Sequence, residues 1–167
     1  MTGAGTVDAE PRSIHESIGI DTLGSADTST LSKPTRKNMI DCSEAVAGAN
    51  LTNAILTGCN LADANLSNAN LTGASLWGAN LADANLSGVI LTGANLSGAI
   101  LTDANLTSAN LSYANLTGVI LVDANLSDAT LSYANLSDAT LFGVTGWGTV
   151  SGKGTISGLD TAFGVPG

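Results

Sequence analysis

The sequence predicts an all-β solenoid, and two regularities carry that prediction. From residue 49 to residue 143 a leucine falls on every fifth position without a gap, which gives 19 leucines in 95 residues. Two positions before each leucine stands a small residue, which is alanine in most units and cysteine or valine in the others. A fixed internal period of this kind specifies a repeat architecture before any local propensity is considered.

A five-residue period excludes the two ordinary secondary structures. In an α-helix five residues turn the chain by about 500°, so the leucines would scatter around the helix. In a flat strand side chains alternate between faces, so an odd period would send successive leucines to opposite sides. A chain that turns a corner after each unit points every leucine toward one axis. The small residues then fill the remaining inward positions at native packing density.

The number of units in a coil follows from residues that recur at every twentieth position. At the last position of the unit, four aspartates and four glycines have this spacing. They are Asp63, Asp83, Asp103 and Asp123, and Gly58, Gly78, Gly98 and Gly118. A three-sided coil of fifteen residues would break these columns, whereas four five-residue sides preserve them. Nineteen units then give about 4.75 coils, and at roughly 4.8 Å between neighbouring strands the rod is about 23 Å tall.

The unit reads Ala-Asn-Leu-(Ser/Thr)-X and resembles the pentapeptide-repeat family, whose consensus is A(D/N)LXX. The 19 consecutive units cover about 57% of the chain. The resemblance implies a right-handed quadrilateral parallel β-helix over residues 49–143, and a bacterial origin in a family that is frequent in cyanobacteria. Seven units depart from the pattern at the second position. They carry Ile55, Ile90, Ile100, Ile120, Ser75, Thr130 and Thr140.

Two segments precede the repeats. Residues 1–40 are rich in Ser, Thr, Gly and charged residues and lack a sustained apolar period, so we expect a largely disordered polar tail. Residues 41–48 contain a helix start, with Asp41 or Ser43 as the N-cap and Val46 at the next leucine position upstream. Because the end of a solenoid exposes unpaired strand edges, we expect this segment to cap the first coil.

Residues 144–167 follow the repeats and are expected to form a C-terminal cap or a Gly-rich tail. Trp147 is well placed to cover the last leucines. The stretch from Thr149 to Ser157 alternates around Gly152, Lys153 and Gly154, a pattern that indicates a small hairpin with a Gly-rich turn.

Composition indicates no enzyme, cofactor or metal centre. The single histidine, His15, lies in the polar tail, and the two cysteines, Cys42 and Cys59, lack partner ligands at zinc-binding spacing. A net charge of −9, with no basic residue between 49 and 143, argues against direct nucleic-acid binding. We expect Cys59 to be a free thiol in a small inward position, without a disulfide framework.

The chain shows no segment that directs it to or across a membrane. The first thirty residues hold no apolar stretch typical of a signal peptide, and no run of eighteen residues is apolar throughout. With two cysteines expected to be reduced, this pattern predicts a cytoplasmic protein that does not interact with membranes.

The aspartate column is the first candidate interaction surface. Carboxylates of Asp63, Asp83, Asp103 and Asp123 would repeat about every 4.8 Å along one corner. In a functional interpretation this acidic stripe binds a basic protein surface or divalent cations such as Ca²⁺. In a structural interpretation aspartate suits a corner, where it can accept hydrogen bonds from backbone amides, and contributes solubility.

Aromatic side chains form the second candidate surface. Tyr113 and Tyr133 share the twenty-residue spacing, and Trp77 replaces the usual Ser or Thr after a leucine. Ile100 and Ile120 form an apolar pair at an outward position. Such residues can mark a protein-binding patch, although scattered surface apolar residues are common. A further column is expected to be a structural ladder of amide side chains. Its members are Asn65, Asn85, Asn105 and Asn125.

These observations predict a non-enzymatic scaffold that acts as a protein-interaction or structural module with an acidic surface. The partner is expected to be a protein, and the rod to be a monomer or an end-to-end dimer. The alternative function comes from the family resemblance, because some pentapeptide-repeat proteins mimic DNA and bind DNA gyrase or other type II topoisomerases. DNA carries a charge every 1.7 Å or so, which is denser than the aspartate column.

Overall fold

The computed structural model describes residues 42–167, which form a solenoid with four faces. Successive coils pair through isolated parallel β-bridges, and the two residues of each bridge are twenty positions apart from Asn50–Asn70 to Asn125–Thr145. Four five-residue units therefore complete each coil of the repeat region. The helices of the described range are three 3-10 helices, Cys42–Glu44, Trp147–Thr149 and Lys153–Thr155. We number the faces by their first leucines: face 1 begins at Leu51, face 2 at Leu56, face 3 at Leu61 and face 4 at Leu66.

A unit with asparagine at the second position can satisfy every one of its backbone donors, as the unit that ends at Gly73 illustrates. The amides of Asn70, Leu71 and Gly73 donate to carbonyls of the coils below and above, at 2.9, 2.7 and 3.0 Å. The amide of Ala74 closes the turn by donating to the Leu71 carbonyl at 3.0 Å. The remaining amide, that of Thr72, donates to the side-chain oxygen of Asn70 at 3.1 Å. An asparagine before the leucine therefore supplies the acceptor that the ladder between coils lacks.

The corners are β-turns in which the last residue of the unit has positive φ. Every one of these positions is left-handed, with φ near 57° at Asn53 and 62° at Gly78. A hydrogen bond from the following residue back to the leucine carbonyl, with positive φ at the third turn residue only, defines a type II turn. Glycine, asparagine and aspartate adopt this conformation at least cost, which explains their prevalence at the last position.

The core is the column of leucines and small residues that the period predicts. All 19 leucines of the repeats are at most 3% exposed. The alanines and the two valines at the small position are buried between them, except for Ala49 and Ala64 at the N-terminal edge, which are half-buried. Each buried leucine contributes roughly 1.5–3 kcal/mol relative to an exposed one. The interior column therefore supplies the main stabilising term of the solenoid.

Residues 144–163 continue the solenoid instead of forming a hairpin. Ser151, Ser157 and Phe163 make parallel bridges to Thr130, Asn135 and Thr140, so the hairpin expected from Thr149 to Ser157 is wrong. The bridge offset grows from 20 to 21, 22 and 23 residues, because each side of this coil has six residues. The sides read G-W-G-T-V-S, G-K-G-T-I-S and G-L-D-T-A-F. The sequence predicts a turn here because the six-residue period extends over only three units, too few to be recognised as a repeat.

Glycine and threonine define this last coil. Gly146, Gly152 and Gly158 have φ of 72–78°, and a Cβ on any of them would meet the backbone of a serine in the coil below. Threonine hydroxyls replace the carbonyls that corner amides bind elsewhere: the amide of Asp128 donates to Oγ1 of Thr149 at 2.7 Å. Trp147 is buried in the core cluster with Val144 and Val150. The coil thus covers the C-terminal end of the leucine column.

The two cysteines form a disulfide, which corrects the expectation of free thiols. Cys42 and Cys59 are bonded, with their Cα atoms 5.7 Å apart. Cys59 occupies the expected inward position and is buried, and the segment from Cys42 onward passes beneath it, where Ala45 enters the core. Sequence spacing could not reveal this pair because it depends on how residues 42–48 fold back under the first coil.

The expectation of a disordered tail for residues 1–40 and the N-cap role of Asp41 lie outside the described residues. In the part that the structure describes, the helix start expected near Ser43 is a single 3-10 turn. None of the helices between residues 42 and 167 has the length and apolarity needed to cross a bilayer.

Candidate interaction surface

The aspartate column follows the corner that ends face 3. Asp63, Asp83, Asp103 and Asp123 all have φ of 56–58°, and their carboxylates are exposed to solvent. Each main-chain amide donates to a carbonyl of the next coil; that of Asp103 donates to Val122 and that of Asp123 to Phe142, both at 2.9 Å. The backbone thus holds the four residues in register, and their side chains point outward.

Nothing basic in the described range neutralises this column. Lys153 is the only Lys or Arg of residues 42–167. Its ammonium donates to the carbonyls of Trp147 and Gly148, at 2.9 and 3.4 Å, on top of the last coil. Like charges at this spacing repel one another. A partner that brings positive charge to the corner would relieve that repulsion.

An apolar stripe lies on face 3 beside the aspartates. Ile100 bridges Ile120, and Thr140 lies between Ile120 and Phe163 in the same column of bridges. Val122 and Phe142 stand two residues after Ile120 and Thr140, and they form a second column directly before the corner that carries the aspartates. We call these five residues the apolar stripe: Ile100, Ile120, Val122, Phe142 and Phe163.

The stripe is unusual for its exposure. Phe142 and Phe163 are 57% and 58% exposed, and Ile100 and Ile120 are each 37% exposed. Four of the ten large exposed apolar residues of the described range therefore lie on one half of one face. The N-terminal half of the same face is polar at the bridge position, where Asn60 and Asn80 hydrogen-bond to each other. Contiguous apolar surface beside charges is typical of binding sites.

The structure brings two of the three predicted aromatic residues together. The rings of Tyr113 and Tyr133 stack at a centroid distance of 5.0 Å and an interplanar angle of 11°, at the corner between faces 1 and 2. Trp77 is 59% exposed and lies on face 2, two coils nearer the N-terminus than Tyr113. The three residues do not form one aromatic surface, and the tyrosine pair lies at the corner opposite the aspartates.

The amide ladder is only partly formed. Asn85 donates to Asn65 at 3.4 Å, but Asn105 and Asn125 use their side-chain oxygens within their own turns, where they accept from the amides of Thr107 and Ser127. Asn65 and Asn85 accept from the amides of their own turns as well, so all four asparagines have this local role and only one pair adds a bond between coils. The column remains a structural feature of face 4.

The described residues contain no metal-binding cluster. Between residues 42 and 167 no three His, Cys, Asp or Glu side chains are grouped so that they could hold an ion. The aspartates of the column succeed one another along a line and do not converge on a point. The Ca²⁺ interpretation of the column therefore gains no support from its geometry.

The sequence missed three residues of the apolar stripe, and two signals could have found them. Val122 and Phe142 both take the place of Ser or Thr after a leucine, twenty residues apart. Phe163 belongs to the six-residue repeat, so its position above Thr140 becomes visible only when that period is recognised. Arranging the sequence in rows of twenty would have placed the first two residues beside Ile100 and Ile120.

Comparison with known proteins identifies the repeat. The family model described as pentapeptide repeats matches eight copies over residues 47–76, 79–112 and 109–145. A search of curated proteins finds no significant match. Among solved structures, the pentapeptide repeat protein Rfr23 from the cyanobacterium Cyanothece 51142 is 42% identical with a TM-score of 0.52, and the match covers 53% of this chain and 60% of Rfr23.

Two further solved structures are less similar. A pentapeptide repeat protein from the thylakoid lumen of Arabidopsis thaliana is 30% identical with a TM-score of 0.42, over 54% of this chain and 63% of that protein. A pentapeptide repeat protein from Nostoc Pcc 7120 is 28% identical with a TM-score of 0.42, over 65% of this chain and 83% of that protein.

Proposed function

The chain belongs to the pentapeptide-repeat family, and from that membership we propose that it is a non-enzymatic scaffold that docks a protein partner on its acidic corner. The observation that carries this proposal is the line of four exposed aspartates held in register by the backbone, without a basic neighbour in residues 42–167. A rigid row of uncompensated charge favours a partner with basic groups at matching spacing.

The proposed architecture is a right-handed quadrilateral β-helix. The family supports the hand, and the bridges support four sides per coil. About 4.75 coils of five-residue sides are followed by three six-residue sides, which form about three quarters of a coil. Residues 42–48 and the threonine-rich coil cover the two ends of the leucine column, which favours a monomer over an end-to-end dimer. Sedimentation of the purified chain distinguishes the two states.

The disulfide favours an oxidising compartment over the cytoplasm, because such bonds persist where thiols are not kept reduced. This inference replaces the cytoplasmic location that the sequence predicts on the assumption of two reduced cysteines. Alkylation of the protein as isolated from its native cells, followed by mass spectrometry, counts the free thiols. Two alkylated cysteines would restore the cytoplasmic assignment.

The docking proposal is tested by capturing partners with the purified chain from an extract of its native cells at low salt. The column variant replaces all four aspartates by asparagine, which is already present at other corner positions such as Asn53 and Asn68. The control is Asp128→Asn, which changes the corner aspartate between faces 4 and 1, away from face 3. We expect a partner that the wild type and the control retain and that the column variant loses. Equal recovery by all three proteins would contradict the proposal.

Mimicry of DNA is the alternative function, and the alignment of the aspartates along the rod axis is the feature that favours it. The column is sparser than DNA, with one carboxylate per coil at roughly 4.8 Å against one phosphate charge per 1.7 Å or so. Its charge also lies on one corner and is bordered by an apolar stripe. A supercoiling assay with DNA gyrase tests this function directly, and activity that is unchanged by a large molar excess of the protein excludes it.

A further inference from the structure

The apolar stripe and the aspartate column form one composite surface, and we infer that it binds a basic amphipathic α-helix of a partner protein. This inference deepens the proposed docking function, because it names the chemistry of the partner. It starts from the asymmetry of face 3: the bridge column is apolar at Ile100, Ile120 and Phe163, and the bordering corner carries Asp103 and Asp123. A complementary partner presents apolar groups along one line and positive charges along a parallel line.

The spacing of the stripe favours a helix that lies parallel to the rod axis. Equivalent residues of neighbouring coils are separated by roughly 4.8 Å, and successive turns of an α-helix by about 5.4 Å. Apolar residues at i, i+3 or i+4, and i+7 of a helix therefore match successive coils of the stripe within a fraction of an ångström per turn. An extended strand repeats each face about every 6.6 Å, which loses this register after one step.

The length and width of the surface agree with the same occupant. From Ile100 to Phe163 the bridge column spans three coil steps, or about 14 Å at the spacing of neighbouring strands. About ten residues of helix, or three turns, cover that distance. Asp123 lies three residues after Ile120 and within the turn that starts at Leu121, so the two residues are separated by less than the roughly 10 Å of an extended segment, and a helix about 10 Å wide with its side chains spans both. Lysine or arginine on one flank of the helix then reaches the carboxylates.

Charge complementarity selects a basic helix. Every titratable side chain on the described part of face 3 and its corner is an aspartate, and Lys153 is bound elsewhere. Peripheral positive charges steer the encounter and fix the orientation of the helix, while burial of the isoleucine and phenylalanine side chains supplies the affinity. The surface therefore combines an apolar anchor with the aspartate column along one border, and Asp138 adds a single carboxylate at the opposite corner of face 3.

The test uses the full chain and a fluorescent eighteen-residue peptide of leucine and lysine, with leucines at i, i+3, i+4 and i+7 and lysines on one flank. A peptide of the same composition in scrambled order is the peptide control. We expect fluorescence anisotropy to report binding of the ordered peptide only, with affinity that decreases at least fivefold from 50 to 300 mM salt. Absence of binding by the ordered peptide, or equal binding by the scrambled one, overturns the inference.

Matched variants locate the site. Ile100→Asn/Ile120→Asn places the consensus residue at two stripe positions, and Ile55→Asn/Ile90→Asn makes the same change on faces 2 and 1. We expect the first pair to weaken peptide binding at least tenfold and the second to leave it within twofold. Asp103→Asn/Asp123→Asn should weaken binding and reduce its salt dependence, and Asp128→Asn, at the corner between faces 4 and 1, should change neither. The assignment is overturned if the two isoleucine variants weaken peptide binding equally, or if the Asp103/Asp123 variant and its aspartate control do so.

Other occupants are outcomes of the same experiment. Residues 33–37 hold three of the chain's five basic residues, Lys33, Arg36 and Lys37. If replacing all three by glutamine tightens peptide binding tenfold, this segment competes for the stripe and the inference of a partner helix is wrong. A dimer in sedimentation that Ile100→Asn/Ile120→Asn dissolves would identify a second copy and would also overturn it. If the peptide fails while capture from the extract still depends on the aspartate column, only the helix inference fails and the docking function stands.

Discussion

At the scale of single residues, the residue type at the corner determines the conformational free energy that each unit loses on folding. Its left-handed backbone suits glycine, aspartate and asparagine, but three units place other residues there: Ser108, Tyr113 and Tyr133, with φ of 58–60°. For an ordinary L-residue this conformation costs roughly 1–2 kcal/mol. The stacked tyrosines recover part of that cost through ring contact, which contributes about 0.5–1.5 kcal/mol beyond burial. Ser108 has no such ring contact.

Replacement of Ser108 by glycine should therefore stabilise the protein. We expect an increase of about 0.5–1 kcal/mol in the free energy of unfolding, because glycine removes the strain of positive φ. Urea denaturation measures the change. The control is Ser112→Gly in the following unit. Ser112 stands directly after the leucine, one position before the corner, where φ is not positive. That substitution should lower the free energy of unfolding, since it only adds freedom to the unfolded chain. Stabilisation by both substitutions would contradict the argument.

Residue roles could be predicted from the sequence wherever the period alone decides them. The leucine interior and the aspartate column follow from spacings of five and twenty residues, and the structure shows both registers. The pairing of Cys42 with Cys59 could not be predicted, because Cys42 lies outside the repeats and no period positions it. The partial amide ladder was also hidden. Spacing does not show which asparagines bond the next coil in addition to their own turn.

At the scale of structural elements, the two ends differ in how they cover the leucine column. At the N-terminus a 3-10 turn from Cys42 to Glu44 brings Ala45 into the core, and the disulfide attaches this short segment to the first coil. The segment has few apolar contacts of its own, since Val46 is 53% exposed. Its attachment therefore depends on the covalent bond more than on packing.

Removal of the disulfide should destabilise the N-terminal end. The bond joins residues separated by 17 positions, and closing a loop of that size reduces the entropy of the unfolded chain by an equivalent of about 3 kcal/mol. We expect Cys42→Ser/Cys59→Ala to melt at lower temperature than the oxidised wild type, as measured by circular dichroism. Alanine is the usual residue at the position of Cys59, so the substitution creates little strain.

The reductant control separates the bond from the side chains. Dithiothreitol should lower the melting temperature of the wild type toward that of the double variant and leave the variant unchanged. A wild type that melts at the same temperature with and without reductant would show that residues 42–48 are held by packing alone.

At the C-terminus the sequence predicted an end cap but not its structure. Pairs of glycines around Lys153 have the composition of a hairpin turn. The structure instead uses Gly152 to pass close above a serine of the coil below, where a Cβ would collide with backbone atoms, as at Gly146 and Gly158, whereas a Cβ at Gly154 would meet nothing. Local composition cannot distinguish these cases, because glycine serves a tight turn and a close approach equally well. Only the recurrence of threonine three residues after Gly146, Gly152 and Gly158 identifies the coil.

At the scale of the whole molecule, each coil contacts only its neighbours. The stability of such a solenoid is approximately a sum over units and their interfaces. A central coil has two neighbours, and the first coil has one together with the short segment 42–48. Leu51 and Leu96 are both buried. Truncation of each should nevertheless lower the free energy of unfolding by different amounts, because Leu51 lies in the first coil and Leu96 in a central one.

Leu96→Ala should cost about 3 kcal/mol of the free energy of unfolding, because the cavity is enclosed between two coils. Leu51→Ala should cost less than about 2 kcal/mol, since the edge of the stack can relax or admit water. Urea denaturation measures both, and hydrogen exchange should show increased opening of the first coil alone in the Leu51 variant. Equal losses at the two sites would contradict the nearest-neighbour description.

The twenty-residue offset of the bridges also restricts how a chain of this kind can change length during evolution. Insertion or loss of four units at once leaves every surface column continuous and only lengthens or shortens the rod. Gain or loss of a single unit rotates everything beyond it by a quarter turn. Phe142 and Phe163 would then face away from Ile100, and the surface on face 3 would be divided between two sides. Natural variants that keep this surface should therefore differ in length by whole layers.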